Sequence, residues 1–159
     1  MLSQNLLRFK QPALLTVMIL AFFILMSRID FIVHDTLYKY GLVFSYEWAN
    51  NYWLTYNAIF IVFGVILCVT YWLASSKTKR DFKFSLSLFL AVTLLTIGGL
   101  QDILFFVLWG GGLPQISVVW WWAPWVGIMG TWNSGMQIVL AGLMSCTSVF
   151  TSVLAAKAP

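Results

Sequence analysis

Four apolar stretches, separated by short polar segments, organise the chain. They run approximately over residues 12–33, 52–73, 85–109 and 125–154. A helix needs about 20 mainly apolar residues to cross a hydrocarbon core of ~30 Å, and each stretch meets that length. The pattern predicts an all-α membrane protein, with four transmembrane helices in a bundle. One membrane domain covers 1–159, because the intervening segments are too short to fold separately. Such a chain is multi-pass, and it sits in the cell membrane if its source is prokaryotic.

Composition strengthens this picture. The chain is 61% hydrophobic and 9% charged, whereas soluble domains carry about 25% charged residues. So short a chain cannot hide that much apolar surface in its own core, so lipid must solvate most of it.

Charge then sets an orientation. Arg8 and Lys10 precede the first stretch; Lys77, Lys79, Arg80 and Lys83 crowd the second connection; Lys157 follows the fourth stretch. The opposite connections carry only Lys39 as a Lys or Arg residue. Lys and Arg concentrate on the cytoplasmic side of membrane proteins, so both termini are expected there. The net charge of +4 follows from this bias and forms no basic face for nucleic acid. The first stretch follows Arg8 and Lys10 as a secretory leader would. It is long, however, and is followed by Ser27-Arg28-Ile29-Asp30 with no small-residue cleavage site, which reads as an uncleaved span.

The two outer connections are rich in aromatics. Residues 34–51 include Tyr38, Tyr40, Phe44, Tyr46 and Trp48, with room for a short interfacial helix after the first span. Gly110, Gly111, Gly112 and Pro114 end the third span. Trp120, Trp121, Trp122 and Trp125 follow, as expected of a headgroup-level aromatic belt. The competing reading has them walling a pocket or touching a partner.

Polar residues inside the spans are the candidate chemistry. Asp102 is the sole charge between Ser85 and Trp109, and an intramembrane carboxylate costs ~2.5 kcal/mol or more unless it faces protein or water. A rise of about 1.5 Å per residue puts it ~10 Å below the outer interface. Arg28 matches that depth on span one, as does Asn133 on span four, with Gln137 one turn deeper; Asn57 lies one turn in from Trp53 on span two, in the same outer half. An Arg28–Asp102 ion pair surrounded by Asn57, Asn133 and Gln137 is the expected polar cluster. Gln101 is turned about 100° from Asp102 and is left out of it. Helix glue explains the amides equally well, and snorkelling to the surface explains Arg28.

A second, weaker group is Asp30, His34 and Asp35, with Glu47 nearby. Asp30 and His34 are spaced i and i+4 on one helical face, which could serve a divalent metal or a proton relay. His34 is the chain's one histidine, which excludes bis-histidine ligation within a single copy. Cys68 and Cys146 form no CxxC pair. No nucleophile–base set, phosphate loop or HExxH is visible, and no cofactor is implied. Small residues on span four, including the pairs Gly130/Ser134 and Ala141/Ser145, signal tight helix packing.

The leading expectation is a small subunit of a larger membrane complex, partnered by lipid and by other subunits or copies of itself. The alternative is a solute or ion transporter or channel component using the Asp/Arg pair. A membrane metal-binding or redox enzyme subunit comes third.

Overall fold

The computed structural model describes residues 2–42 and 46–157, with side chains described at 12–42, 48 and 50–157. Arg8, Lys10, Phe44, Tyr46 and Glu47 lie outside the described side chains. The described residues form helices and turns and no strands. These are α1 (Leu2–Lys39), α2 (Tyr46–Ala74), α3 (Lys79–Ile97), α4 (Leu100–Leu104), which continues as a π-helical segment (Phe105–Trp109), α5 (Val126–Met129) and α6 (Ser134–Lys157).

Three helices are long and apolar enough to cross a membrane: Pro12–Lys39, Asn50–Ala74 and Ser134–Lys157. A fourth crossing exists if Lys79–Ile97 and Leu100–Trp109, bent by 58°, count as one broken span. Only 28, 17 and 17% of the most apolar windows of the three straight helices are buried within the protein. Most of their side chains, such as Leu25, Val62 and Val139, therefore face outward. Ser27, Asp30, Ser85, Gln101 and Gln137 are buried instead. An apolar exterior around a partly polar interior suits a lipid environment.

α1 and α2 are antiparallel and meet through large side chains. From Asp30 back to Met26 and Phe22, the partners advance from Tyr52 to Tyr56 and Phe60, one helical turn per step. Ile19, Phe23, Met26, Tyr56, Phe60, Leu67 and Val92 form the main apolar core.

α3 is the central helix, with α2 and α6 in close backbone approach. Its start is fixed by a capping box: Thr78 Oγ1 accepts from the Asp81 N–H, and the Asp81 carboxylate accepts from the Thr78 N–H. Small residues allow the approach. A Cβ on Gly64 of α2 would lie 3.1 Å from the Phe89 ring of α3. α6 buries Ser134, Gln137, Ala141 and Ser148, a stripe spaced for one helical face.

Three sequence expectations need correction. Span four begins at Ser134 rather than Trp125. Residues 125–133 instead form the short α5, ended by Gly130 at φ 74°, and a connection to the cap of α6. Gly130 therefore lies outside the last helix. No separate interfacial helix follows span one among the described residues: α1 runs on to Lys39, and α2 already starts at Tyr46. Span three is not straight but broken at Gly98-Gly99.

Candidate functional site

The break in span three builds the site. Gly98 caps α3, and Gly99 takes the left-handed conformation, φ 63°. Any L-residue with a Cβ pays steric strain there. Space forbids one too: a Cβ on Gly99 would fall 2.1 Å from Gln137 Nε2. At Gly98 it would meet Met144 Cβ at 2.9 Å. α6 thus sits directly on the break.

A helix break in lipid leaves carbonyls without donors, and each must find another partner. Gln137 supplies one. Its Nε2 donates to the Gly98 carbonyl at 2.6 Å, while its Oε1 accepts from Trp132 Nε1 at 2.6 Å. Gln137 is 1% exposed, so these bonds hold a buried amide at both ends.

Beyond the break the chain turns through α4 into the π-helical segment, closed by the Gly110 N–H bonding to the Phe105 carbonyl. Ser134 Oγ donates to the Pro114 carbonyl, and the Trp120 N–H to the Trp132 carbonyl. These bonds fold residues 110–133 over the end of the bundle as an aromatic cap centred on Trp120, Ala123 and Trp132. Trp121 is largely exposed, as a headgroup anchor would be, but Trp120 is 0% exposed. Its indole N–H has no acceptor among the described residues. Trp122 and Trp125 line a cavity. Of the expected belt, Trp120 is interior structure, Trp122 and Trp125 are half-buried, and Trp121 is exposed.

That cavity has a volume of about 450 Å³ and lies among α2, the α3–α4 break, the cap and α6. Trp53, Tyr56 and Phe60 form one wall; Trp122 and Trp125 face them from the cap; Asp102, Gln101 and Gln137 supply polar groups. No basic side chain lines it among the described residues.

Next to the cavity lies a closed polar knot around Asp30. Tyr52 Oη donates to Asp30 Oδ1 at 2.5 Å, and Gln101 Nε2 donates to Asp30 Oδ2 at 2.7 Å. His34 Nδ1 approaches Asp30 Oδ1 at 3.1 Å and the Asp30 carbonyl at 2.9 Å. Tyr56 Oη donates to the Met26 carbonyl one turn deeper. Tyr52 and Gln101 escaped the sequence reading. The usable signal was the Ser27/Asp30 polar step on the inward face of α1, opposite Tyr52 and Tyr56.

The expected polar cluster is only partly assembled. Asp102 and Gln137 share the cavity, and Asn57 is at its edge. Asn57 Nδ2 donates within its own helix, to the Trp53 carbonyl. Asn133 is outside the cavity lining and caps α6, its Oδ1 accepting from the Met136 N–H. Arg28 faces outward, its guanidinium carbon 4.7 Å from the Trp109 ring centroid and 5.4 Å from that of Phe31. Arg28 and Asp102 form no ion pair in the described structure. Depth matched them, but rotation about the helix axes separates them.

Asp30 and His34 of the second group do meet, whereas Asp35 is exposed. No three His, Cys, Asp or Glu side chains converge on a metal-sized site among the described residues. Cys68 and Cys146 are free thiols.

No protein-family model, curated protein or solved structure matches the chain.

Proposed function

We propose that this chain is a solute-binding component of a membrane transporter or channel, and that the cavity beside the broken span is its binding site. The observation that carries the reading is Asp102. Its carboxylate lines a cavity and accepts no side-chain or backbone hydrogen bond among the described residues. Irregular backbone at membrane depth occurs where protein buries it or where it borders a water-filled cavity, and Gly99 borders this one. Broken spans of this kind build substrate sites in transporters. On this reading the basic residues 77–83 and both termini lie on the cytoplasmic side, and the cavity belongs to the outer half of the membrane.

Thiol labelling tests it. In a Cys68→Ser, Cys146→Ser background, Thr96→Cys on the cavity wall should react in sealed vesicles with a membrane-impermeant thiol reagent. Val62→Cys, on the exposed apolar face of α2, should not. An unreactive Thr96→Cys from either side of the membrane means a closed, dry cavity and ends the proposal.

A second reading, a subunit of a larger complex with other chains or copies of itself, draws on Gly127 and Gly142. Both face open space and would admit a neighbouring helix. It predicts a second chain, or a defined oligomer, after mild detergent extraction.

A further inference from the structure

The geometry points to a small organic cation, an amine or quaternary ammonium group, as the solute this cavity takes. The inference deepens the reading above and rests on it. Three observations converge. First, the cavity presents aromatic rings from two sides: Trp53, Tyr56 and Phe60 on α2, Trp122 and Trp125 on the cap. Ring faces carry negative electrostatic potential, and a cage of them attracts an alkylammonium group. Second, Asp102 adds a carboxyl group, the one acidic side chain on the same lining. No Lys or Arg among the described residues pairs with it: Arg28 stacks on Trp109 and Phe31. Asp30 and His34, close enough to act on Asp102 electrostatically, are held against each other. Third, the volume of about 450 Å³ falls within the ~300–1,000 Å³ range of small-molecule sites.

Other occupants fit less well. A divalent metal needs several oxygen or nitrogen ligands, and Asp30's carboxylate is already occupied by Tyr52 and Gln101. An anion would meet Asp102 with no basic group beside it. A neutral apolar solute would leave that carboxylate desolvated and unpaired, at a large energetic penalty.

The experiment uses the full chain in detergent and radiolabelled tetramethylammonium as the probe. Saturable binding is expected, displaced by excess unlabelled tetramethylammonium and not by the same concentration of sodium. Asp102→Asn keeps the shape and removes the charge, and it should weaken binding about tenfold or more, the range of a charge-assisted contact. Trp122→Leu should weaken it by about two- to five-fold, the range of one cation–π contact. Elution of each variant as a monodisperse peak at the parent position checks its fold. In vesicles, tetramethylammonium should also slow labelling of Thr96→Cys. If Thr96→Cys is labelled but tetramethylammonium neither binds nor slows the reaction, the cavity reading stands and the organic cation is wrong. Equal displacement by sodium also overturns it, as does binding unchanged in both well-folded variants. If Thr96→Cys is never labelled, the underlying reading fails first.

Discussion

Asp30 and Asp102 are the same side chain at the same end of the bundle, and they live in opposite circumstances. Asp30 is 2% exposed, yet both of its oxygens are engaged, by Tyr52, Gln101 and His34. Asp102 is half-buried and borders a cavity, without a hydrogen bond to its carboxylate among the described residues. The contrast arises from the elements that carry them. Asp30 projects from an unbroken helix into aromatic packing, where Tyr52 and Gln101 are already placed. Asp102 follows a backbone break and lines the cavity beside it, while the neighbouring Gln101 reaches Asp30. Burial alone is thus a poor guide to where chemistry is available; the state of a buried group's hydrogen bonds tells more.

The comparison can be broken at several points. The largest effect should come from Gly99, whose conformation creates the cavity side of the contrast. Gly99→Val meets both backbone strain and Gln137, and should cost about 3 kcal/mol or more. A Tm close to the parent's, measured in detergent, would show that the break can be rebuilt. Next, Asp30→Ala strands the Tyr52 hydroxyl and the Gln101 amide, at about 2–3 kcal/mol. Asp102→Ala strands nothing and should cost less than about 1 kcal/mol by the same logic. Parallel unfolding titrations of the two variants decide this, and equal losses would erase the distinction drawn between the two carboxylates. Gln137→Leu should cost about 1–2 kcal/mol, because the Gly98 carbonyl and Trp132 indole lose their partner together, although such bonds are often weaker in membranes. An unchanged Tm there would mean that water replaces the amide. The smallest signal belongs to Arg28→Gln combined with Asp102→Asn. Without an ion pair the two changes should add to within about 0.5 kcal/mol, and a larger coupling in a double-mutant cycle would restore the pair that depth-matching predicts.

Hydropathy made the spans legible, because lipid demands long apolar helices whatever the fold. It failed where apolar residues are not helical. Residues 125–133 carry Val126, Ile128 and Met129 and no charge, but Gly130 at φ 74° ends α5 and Asn133 caps α6, and hydropathy does not weigh turn chemistry. The site was legible in parts. Asp102 and Gln137 are recognisable because polar side chains in apolar runs are expensive. Arg28 misled because residue counting gives height along a helix more securely than it gives direction around it. Hydropathy ends span one at Val33, but the helix continues to Lys39, more than a turn further, and Asp30 is buried within it. Glycine at 98 and 99 weakens a helix in any sequence, but only the contacts of these two with Met144 and Gln137 show how closely α6 sits on the break.

The π-helical segment before Gly110 has a consequence of its own. Its closing bond skips five residues, from Phe105 to Gly110, where an α-turn would skip four, so this turn holds one residue more than its neighbours. That surplus shifts everything after it by roughly 100° of azimuth, and with the surplus in place Trp109 Nε1 reaches Ser27 Oγ at 3.0 Å. The length of this short segment, counted to the single residue, therefore sets the link between the third span and α1 as much as the identity of Trp109 does.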